Sequence, residues 1–426
     1  MKYRNRAIKQ IEILAVTGLL AVFGAAILPS CAKAADTAQA QASSVNGSGK
    51  VEISGQLQQW HKIDLTLDGP FAHESDTSPN PFLDYRMTVT FENTADHTTY
   101  VVPGYFAADG NAAQTSADFG NKWRAILSPN KPGKWTYRIS FVSGKDVAIN
   151  ADDKGDAVAP YDGKTGEISV GKSTTTGRDF RAQGRLQYVG KRYLRFEGSG
   201  KYFLKAGADA PEVMLGYTDF DNTIQHKPSV KLLTWEPHIK DWKAGDPTWK
   251  DGKGKGLIGA LNYLADSGMN VFSFLTYNAG GDGDNVWPYV DRDDHQHFDC
   301  SKLGQWDIVF RHAQDLGLLM QIKLQETEND HKGPTALDAG NLGVERKLYL
   351  RELIARFGYN LSIVWNLGEE NTQTPAQQTA MCNYIRDNDA YQHPRVIHTY
   401  PERQDKEFGD LTGDKSTLTG ASLQNG

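Results

Sequence analysis

The sequence predicts a multidomain chain, an N-terminal β-sandwich followed by an incomplete TIM (β/α)8 barrel, and three observations predict it. Residues 51–170 carry runs that alternate apolar and polar side chains at period two, with no helical periodicity between them. From about residue 190 short apolar runs alternate with helical stripes that stop at glycine. The chain has 426 residues, 39% hydrophobic and 23% charged, room for two or three domains and far from disordered, collagen-like or disulfide-scaffold composition.

The first 31 residues read as an address. Lys2, Arg4, Arg6 and Lys9 precede an apolar stretch from Ile13 to Leu28, too short and too interrupted by Thr17, Gly18 and Gly24 for a membrane span. Leu28-Pro29-Ser30-Cys31 resembles a lipobox, which makes Cys31 the expected lipidation site and the protein an exported, periplasmic or outer-membrane-associated lipoprotein. Cleavage at the A-x-A site Ala32-Lys33-Ala34 is the alternative, and it too means export. Loss of the four basic residues and Glu12 takes the formal net charge from −6 to about −9. That balance excludes the basic stripe of a nucleic-acid binder. The only membrane contact expected is a lipid anchor at Cys31. Residues 32–50, rich in Ala, Gln, Ser and Gly, read as a flexible tether. Cys300 and Cys382 then remain, as one pair or two buried thiols.

In the first domain, Ile63, Leu65 and Leu67 alternate with Asp64, Thr66 and Asp68. Met87, Val89 and Phe91 alternate with Thr88 and Thr90, and Trp135, Tyr137, Ile139 and Phe141 with Thr136, Arg138 and Ser140. Each run is a half-buried strand between turn clusters such as Pro132-Gly133, and together they predict an immunoglobulin-like sandwich over 51–170. A linker is expected over 171–192.

The second domain, 193–426, opens on an expected hairpin, Tyr193–Phe196 and Tyr202–Leu204 around Gly198-Ser199-Gly200. Six barrel strands follow: Phe203–Ala208, Val271–Leu275, Leu318–Leu324, Leu361–Leu367, Arg395–Thr399 and Leu418–Leu423. The intervening stripes read as helices, one of them opened by Thr374-Pro375-Ala376-Gln377, a capping box with proline at its first position. No glycine-rich phosphate loop follows the first strand, which disfavours a doubly wound sheet. Six strands leave an eight-stranded barrel open, so the chain is expected to be a fragment lacking the last two units.

In such a barrel the chemistry belongs at the C-terminal strand ends. The residues there are Asp209; Tyr277 and Asn278; Lys323, Glu326, Glu328, Asn329 and Asp330; Asn366, Glu369, Glu370 and Asn371; His398 and Tyr400; and Gln424 and Asn425. The most informative run is Ile363–Asn371, IVWNLGEEN. A carboxylic acid there is partly desolvated and next to a second carboxylate, which raises its pKa toward the range useful for acid/base catalysis. Because Thr374 caps the next helix, Glu369 and Glu370 precede it rather than simply complementing its dipole. Trp287 and Trp365 are candidate sugar-stacking surfaces, and Trp306, on a helical stripe, is structural. The crowded loop Asp291–Asp299 holds His295 and His297, read as a charged surface loop rather than a metal site. No metal and no cofactor are expected.

The run Ile363–Asn371 is similar to the strand-four acid/base signature of clan-A retaining glycoside hydrolases. Matched residue by residue, it puts Glu370 at the acid/base and Glu369 where that clan usually has Asn, a departure that leaves the choice between the two open. Asn80–Arg86 (NPFLDYR), Val102–Asn111 (VPGYFAADGN), Phe203–Glu212 (FLKAGADAPE) and Leu324–Asp330 (LQETEND) resemble a family of exported bacterial glycosidases with a sandwich domain of unknown function before the barrel. The resemblance implies a carbohydrate substrate, a retaining mechanism with Glu370 as general acid/base, and a nucleophile ending a seventh strand beyond Gly426. Asp209, Tyr277, Asn278, Trp287, Lys323, Glu326, Glu328, Asn329, Trp365, Asn366, His398 and Tyr400 are the expected substrate-binding residues, with Glu326 or Glu328 the alternative second carboxylate. Two other readings stand beside it: a non-catalytic carbohydrate-binding lipoprotein with a degenerate barrel, and a hydrolase of another bond class, for which no nucleophile elbow or HExxH motif speaks.

Overall fold

The structure, a computed structural model, describes residues 45–331 and 333–424. The expected leader with Cys31, most of the expected tether, and Asn425 lie outside the described residues. Among the described residues no helix is long and apolar enough to cross a membrane.

The alternating runs form strands, and the apolar members are the buried ones. Strands β1 (Val51–Gly55), β2 (Ile63–His73), β5 (Tyr105–Phe106) and β6 (Phe119–Leu127) make one antiparallel sheet in the order β1-β2-β6-β5. Strands β3 (Tyr85–Asn93), β4 (Thr99–Pro103), β7 (Gly133–Ser143), β8 (Asp156–Ala157) and β9 (Thr165–Val170) make the second, around the long β3–β7 pair. Ile63, Leu65 and Leu67 are buried while Asp64, Thr66 and Asp68 are partly exposed, as the period-two pattern requires. Trp123 of β6 sits edge-on against Phe141 of β7 (5.0 Å between centroids) and Tyr85 of β3 (5.4 Å), so the two sheets share one core. A helix at Ala112–Thr115 was not expected; four residues are too few to carry a periodicity.

The 171–192 segment is packed rather than free. It holds a helix at Phe180–Gln183, capped by the Asp179 carboxylate, and strand β10 (Leu186–Gln187), with Phe180 and Leu186 buried. Strand β11 (Arg195–Phe196) pairs with β10 and also with the segment after the Gly198-Ser199-Gly200 turn, where Phe203 N–H donates to Leu194 O (2.8 Å) and Arg195 bridges Tyr202, so the expected hairpin is present in short form.

Four strands, β12 (Val271–Leu275), β13 (Leu319–Lys323), β14 (Ile363–Asn366) and β15 (Arg395–Val396), form a parallel sheet in chain order. All their residues are buried, the signature of a parallel sheet covered on both faces. The helix Lys255–Asp266 precedes β12, and the helices Cys300–Asp315, Val344–Phe357 and Pro375–Asn388 connect the four strands in turn.

The first and sixth expected strands need correction. Residues 206–212 run beside β12, with Asn270 N–H donating to Ala206 O (2.9 Å) and Leu275 N–H to Glu212 O (2.8 Å), but form no regular strand. Residues 419–422 run beside β15, with Thr419 N–H on Arg395 O (2.9 Å) and Ser422 N–H on Ile397 O (3.1 Å). Glycines 207 and 420 and short apolar content leave both tracks irregular. The sheet curls: Gln321 of β13 accepts from Lys205 at 2.9 Å and donates to Ser422 at 3.0 Å, reaching both edge tracks.

The inner face of this sheet is graded. At its N-terminal end Val271, Leu319, Val364 and Val396 form an apolar cluster with Phe203 and Leu186. At its C-terminal end the same face carries Lys323 and Asn366. The antiparallel sheets lock against the helical layer through buried polar contacts. Cys300 N–H donates to Glu74 Oε2 (2.9 Å), Arg356 to Phe106 O (2.9 Å), Lys62 to Asp307 (2.8 Å), and Tyr391 hydroxyl to Ile126 O (2.9 Å). Cys300 and Cys382 are separate buried thiols, not a pair.

Candidate active site

The C-terminal end of the parallel sheet gathers titratable groups from three strand ends and from the 206–212 track. Lys323, the last residue of β13, is fully buried. Its ammonium binds Glu369 directly, Glu212 Oε1 at 2.5 Å and Asp209 Oδ1 at 3.4 Å. Glu369 lies three residues beyond β14, and its N–H donates to Gln325 O (2.8 Å), which stitches its loop to the one after β13. His398 lies 3.4 Å from Asp209 Oδ2 and 3.6 Å from Glu369 Oε1, so the 206–212 track and the residues after β15 meet at this point.

Burial and charge set the protonation of this group. Burial pushes the Glu369 carboxyl up to about 7, against the pull of Lys323. Burial opposes the charge of Lys323, but Glu369, Glu212 and Asp209 hold its pKa above the ordinary lysine value. Burial also opposes ionisation of Asp209, yet Lys323 keeps its pKa below the usual carboxylate range. Burial, and then Lys323, lower His398, which is therefore neutral at pH 7.

A second protonated carboxyl lies nearby. Glu326, three residues beyond β13, is pushed up to about 8 by burial and then by Glu328, Asp282 and Glu212. Its Oε2 accepts from Asp282 N–H at 3.2 Å. A Cβ at Gly281 would stand 1.7 Å from that oxygen, so only glycine allows the approach. Glu326 and Glu369 each hold in the fold a proton that an ordinary glutamate releases near 4.5. The folded state thus binds more protons than the unfolded chain between about pH 4.5 and 8, and stability falls as pH rises through that window. The thermal midpoint is expected to be higher near pH 5.5 than near pH 8, and Glu326→Gln to flatten the slope. A midpoint that climbs with pH overturns this assignment.

Glu370 stands apart from the lysine cluster. Its backbone is left-handed (φ 45°), a conformation that costs a non-glycine residue energy and collects at functional sites. It is half-buried, its Oε1 accepts from Gln424 Nε2 at 3.2 Å, and the Tyr400 hydroxyl lies against it and Thr327. Tyr400, Thr327 and Glu328 line a cleft of about 690 Å³ with Arg292, Thr372 and Arg403, a volume within the usual range for a small-molecule site.

The structure brings Asp209, Lys323, Glu369, Glu370, His398 and Tyr400 to one rim, with Glu326 and Glu328 beside them. It does not bring the others into the cleft. Trp287 and Trp365 are 3% and 1% exposed and offer no stacking face; Trp365 points to the helical layer and donates to Asp389 at 3.1 Å. Tyr277 is fully buried, its hydroxyl donating to Thr335 O (2.9 Å). Asn278 closes its own loop by accepting from Val286 N–H (2.8 Å), and Asn329 braces the next by donating to Ala279 O (2.6 Å). Asn366 is buried, with its Oδ1 on Gly368 N–H (3.4 Å). His295 contacts Tyr277 (3.1 Å) and His297 contacts Asp294 (2.7 Å), so both already have partners. Glu212 is the site residue missing from the expected set; an acid three residues after Asp209, across Ala-Pro, was the available signal.

Residues 56–142 match a family model described as a domain of unknown function (DUF5060). No curated protein matches the chain. The crystal structure of a candidate glycoside hydrolase from Bacteroides vulgatus is similar, with a TM-score of 0.54 and 16% identity over 82% of this chain and 56% of that one. The chain thus spans little more than half the length of that protein, and at this identity the likeness is one of fold. A family 5 glycoside hydrolase from the same species (TM-score 0.38, 15% identity, 55% of this chain and 43% of that one) is more distant. So is the exo-β-1,4-mannosidase Op5Man5 from an Opitutaceae bacterium (TM-score 0.36, 16% identity, 55% and 40%). Neither of these two bears on the argument.

Proposed function

We propose that the protein is a glycoside hydrolase acting on a polysaccharide or oligosaccharide, with an immunoglobulin-like sandwich ahead of strand–helix units of the (β/α)8-barrel type. In this reading it is exported and held at a membrane by a lipid on Cys31. The observation that carries it is the adjacent pair Glu369 and Glu370 just beyond a parallel strand. One is buried with its pKa raised to about 7, and the other stands beside a cleft of about 690 Å³.

Glu370 is the acid/base: it protonates the glycosidic oxygen as that bond breaks, then takes a proton from the water that completes hydrolysis. The acid-rich cluster around Lys323 orients sugar hydroxyls, with Asp209 and His398 partnering them from opposite edges of the sheet. Retention requires a second carboxylate about 5–5.5 Å from the first. In this reading Glu326, once ionised, or Glu328 supplies it. The likeness of fold to a candidate glycoside hydrolase supports the reading.

Incubation of the intact protein with a panel of polysaccharides, read by released reducing ends, tests it. Release from at least one member is the expected result. Binding to a saccharide with no release from any would favour the carbohydrate-binding reading instead.

A further inference from the structure

We propose that the hairpin over residues 186–204 is a docking surface for an anionic phospholipid bilayer, a membrane contact separate from the lipid expected on Cys31. The hairpin is amphipathic by parity. Leu186, Phe196 and Phe203 turn inward and are buried, while Arg195 and Tyr202, bridged across the hairpin, stay exposed. Tyr188 (45%), Tyr193 (47%) and Tyr202 (52%) are exposed, and so are Lys191, Arg192, Arg195 and Lys201 among them. Scattered surface aromatics need no explanation, but a cluster of them set among cations marks an interaction surface.

Charge says which kind. The whole chain carries −6, yet the only acid in 186–204 is Glu197. It is turned to Asn130 (2.8 Å), Gln187 (3.0 Å) and the buried Arg185 (3.7 Å). Among the described residues none of the four cations has a carboxylate within ion-pair distance. Lys122, Lys134 and Lys243 elsewhere do, pairing with Asp68 (2.7 Å), Glu167 (2.7 Å) and Asp266 (2.9 Å). Unpaired cations gathered on one hairpin complement anionic headgroups. Negative charges elsewhere on the chain are screened over about 10 Å at 0.1 M salt, so this local excess governs contact with a surface.

The surroundings favour lipid over an acidic saccharide. Lys191, Arg192 and Tyr193 border a hollow of about 530 Å³ whose lining includes Phe203, Leu319 and Val364. Its polar members Lys205 and Gln321 are already bonded to each other at 2.9 Å. An aliphatic lining accepts acyl chain and gives nothing to sugar hydroxyls, which need free acceptors as well as donors. Tyrosine suits the headgroup level, where one end of the ring is apolar and the other wet.

The test is amine labelling of the intact protein, read residue by residue by mass spectrometry, in solution and on vesicles. It needs no saccharide, so its outcome is separate from that of the hydrolase reading. On vesicles of phosphatidylglycerol and phosphatidylcholine, Lys191 and Lys201 are expected to be labelled about threefold more slowly than in solution, with Lys145 unchanged. Phosphatidylcholine alone, or about 0.5 M salt, should remove the difference. Cosedimentation with the anionic vesicles should fall about tenfold in the combined Lys191→Gln, Arg192→Gln, Arg195→Gln, Lys201→Gln variant, in which any contribution of the leader is kept. Equal labelling on and off anionic vesicles overturns the proposal, as does undiminished cosedimentation of that variant with native circular dichroism. Shielding of the same lysines by soluble polygalacturonate but not by vesicles also overturns it, and assigns the surface to an acidic saccharide.

Discussion

Glu370→Gln is expected to lower turnover of a cleavable saccharide about a hundred- to ten-thousand-fold, the range for loss of a positioned acid/base. Binding of that saccharide should change little, because the amide keeps the shape of the side chain and still meets Gln424 and Tyr400. The comparison with Glu369→Gln makes the result informative. Glu369 is tied to Lys323 and buried, so its replacement disturbs the charged cluster and acts on stability as well as rate. A rate collapse confined to Glu369→Gln would transfer the proton-donating role to that residue. Persistence of turnover in both variants would remove the strand-end carboxylates from the chemistry altogether.

Lys323→Met is expected to destabilise the fold by about 2 kcal/mol, since removing the buried ammonium strands Glu369, while Asp209 and Glu212, with side chains 45% and 40% exposed, keep contact with water. The ammonium is the shared partner of Glu369, Glu212 and Asp209, and its own side chain is fully buried. The loss should depend on pH. Without the cation, the folded-state pKa values of Asp209 and Glu369 rise, so at low pH these groups are protonated and nothing is left unpaired. Near pH 8 the charge must be borne or a proton retained at a cost, and the deficit is largest there. Urea unfolding of both proteins near pH 5.5 and pH 8 measures it. An equal deficit at the two pH values would mean that Lys323 acts by packing rather than by charge.

The alternating strands were legible because each side chain's exposure follows its parity: Met87, Val89 and Phe91 are buried and Thr88 and Thr90 are not. The central parallel strands β12, β13 and β14 were legible as short runs in which apolar residues dominate. The edge tracks were not, because a strand at an edge has a ladder on one side only, and apolar residues flanking glycine do not tell a strand from an extended loop. At the site, proximity to a strand end picked out Asp209, Lys323, Glu369 and His398, which the structure gathers into one cluster. It failed for Trp365, whose neighbour Asn366 takes the inner face and sends the indole into the helical layer. Parity within the strand separates the two, but the start of β14 has to be known to a single residue before parity can be used. Glu212 escaped because its carboxylate reaches the cluster from an irregular segment.

The contacts that join the antiparallel sheets to the helical layer bear on how this protein can be taken apart. Glu74 reaches across to the first amide of a helix more than two hundred positions later in the chain, and Tyr391 returns to Ile126 from the opposite direction. Trimming the β-rich N-terminal part as a dispensable accessory would leave the first amide of that helix without its acceptor, although Asp299 still caps it, and bare an apolar flank of the remainder. Such an excision should yield inclusion bodies in place of a minimal catalyst, so domain swaps between relatives belong at the junction with the tether, upstream of Val51.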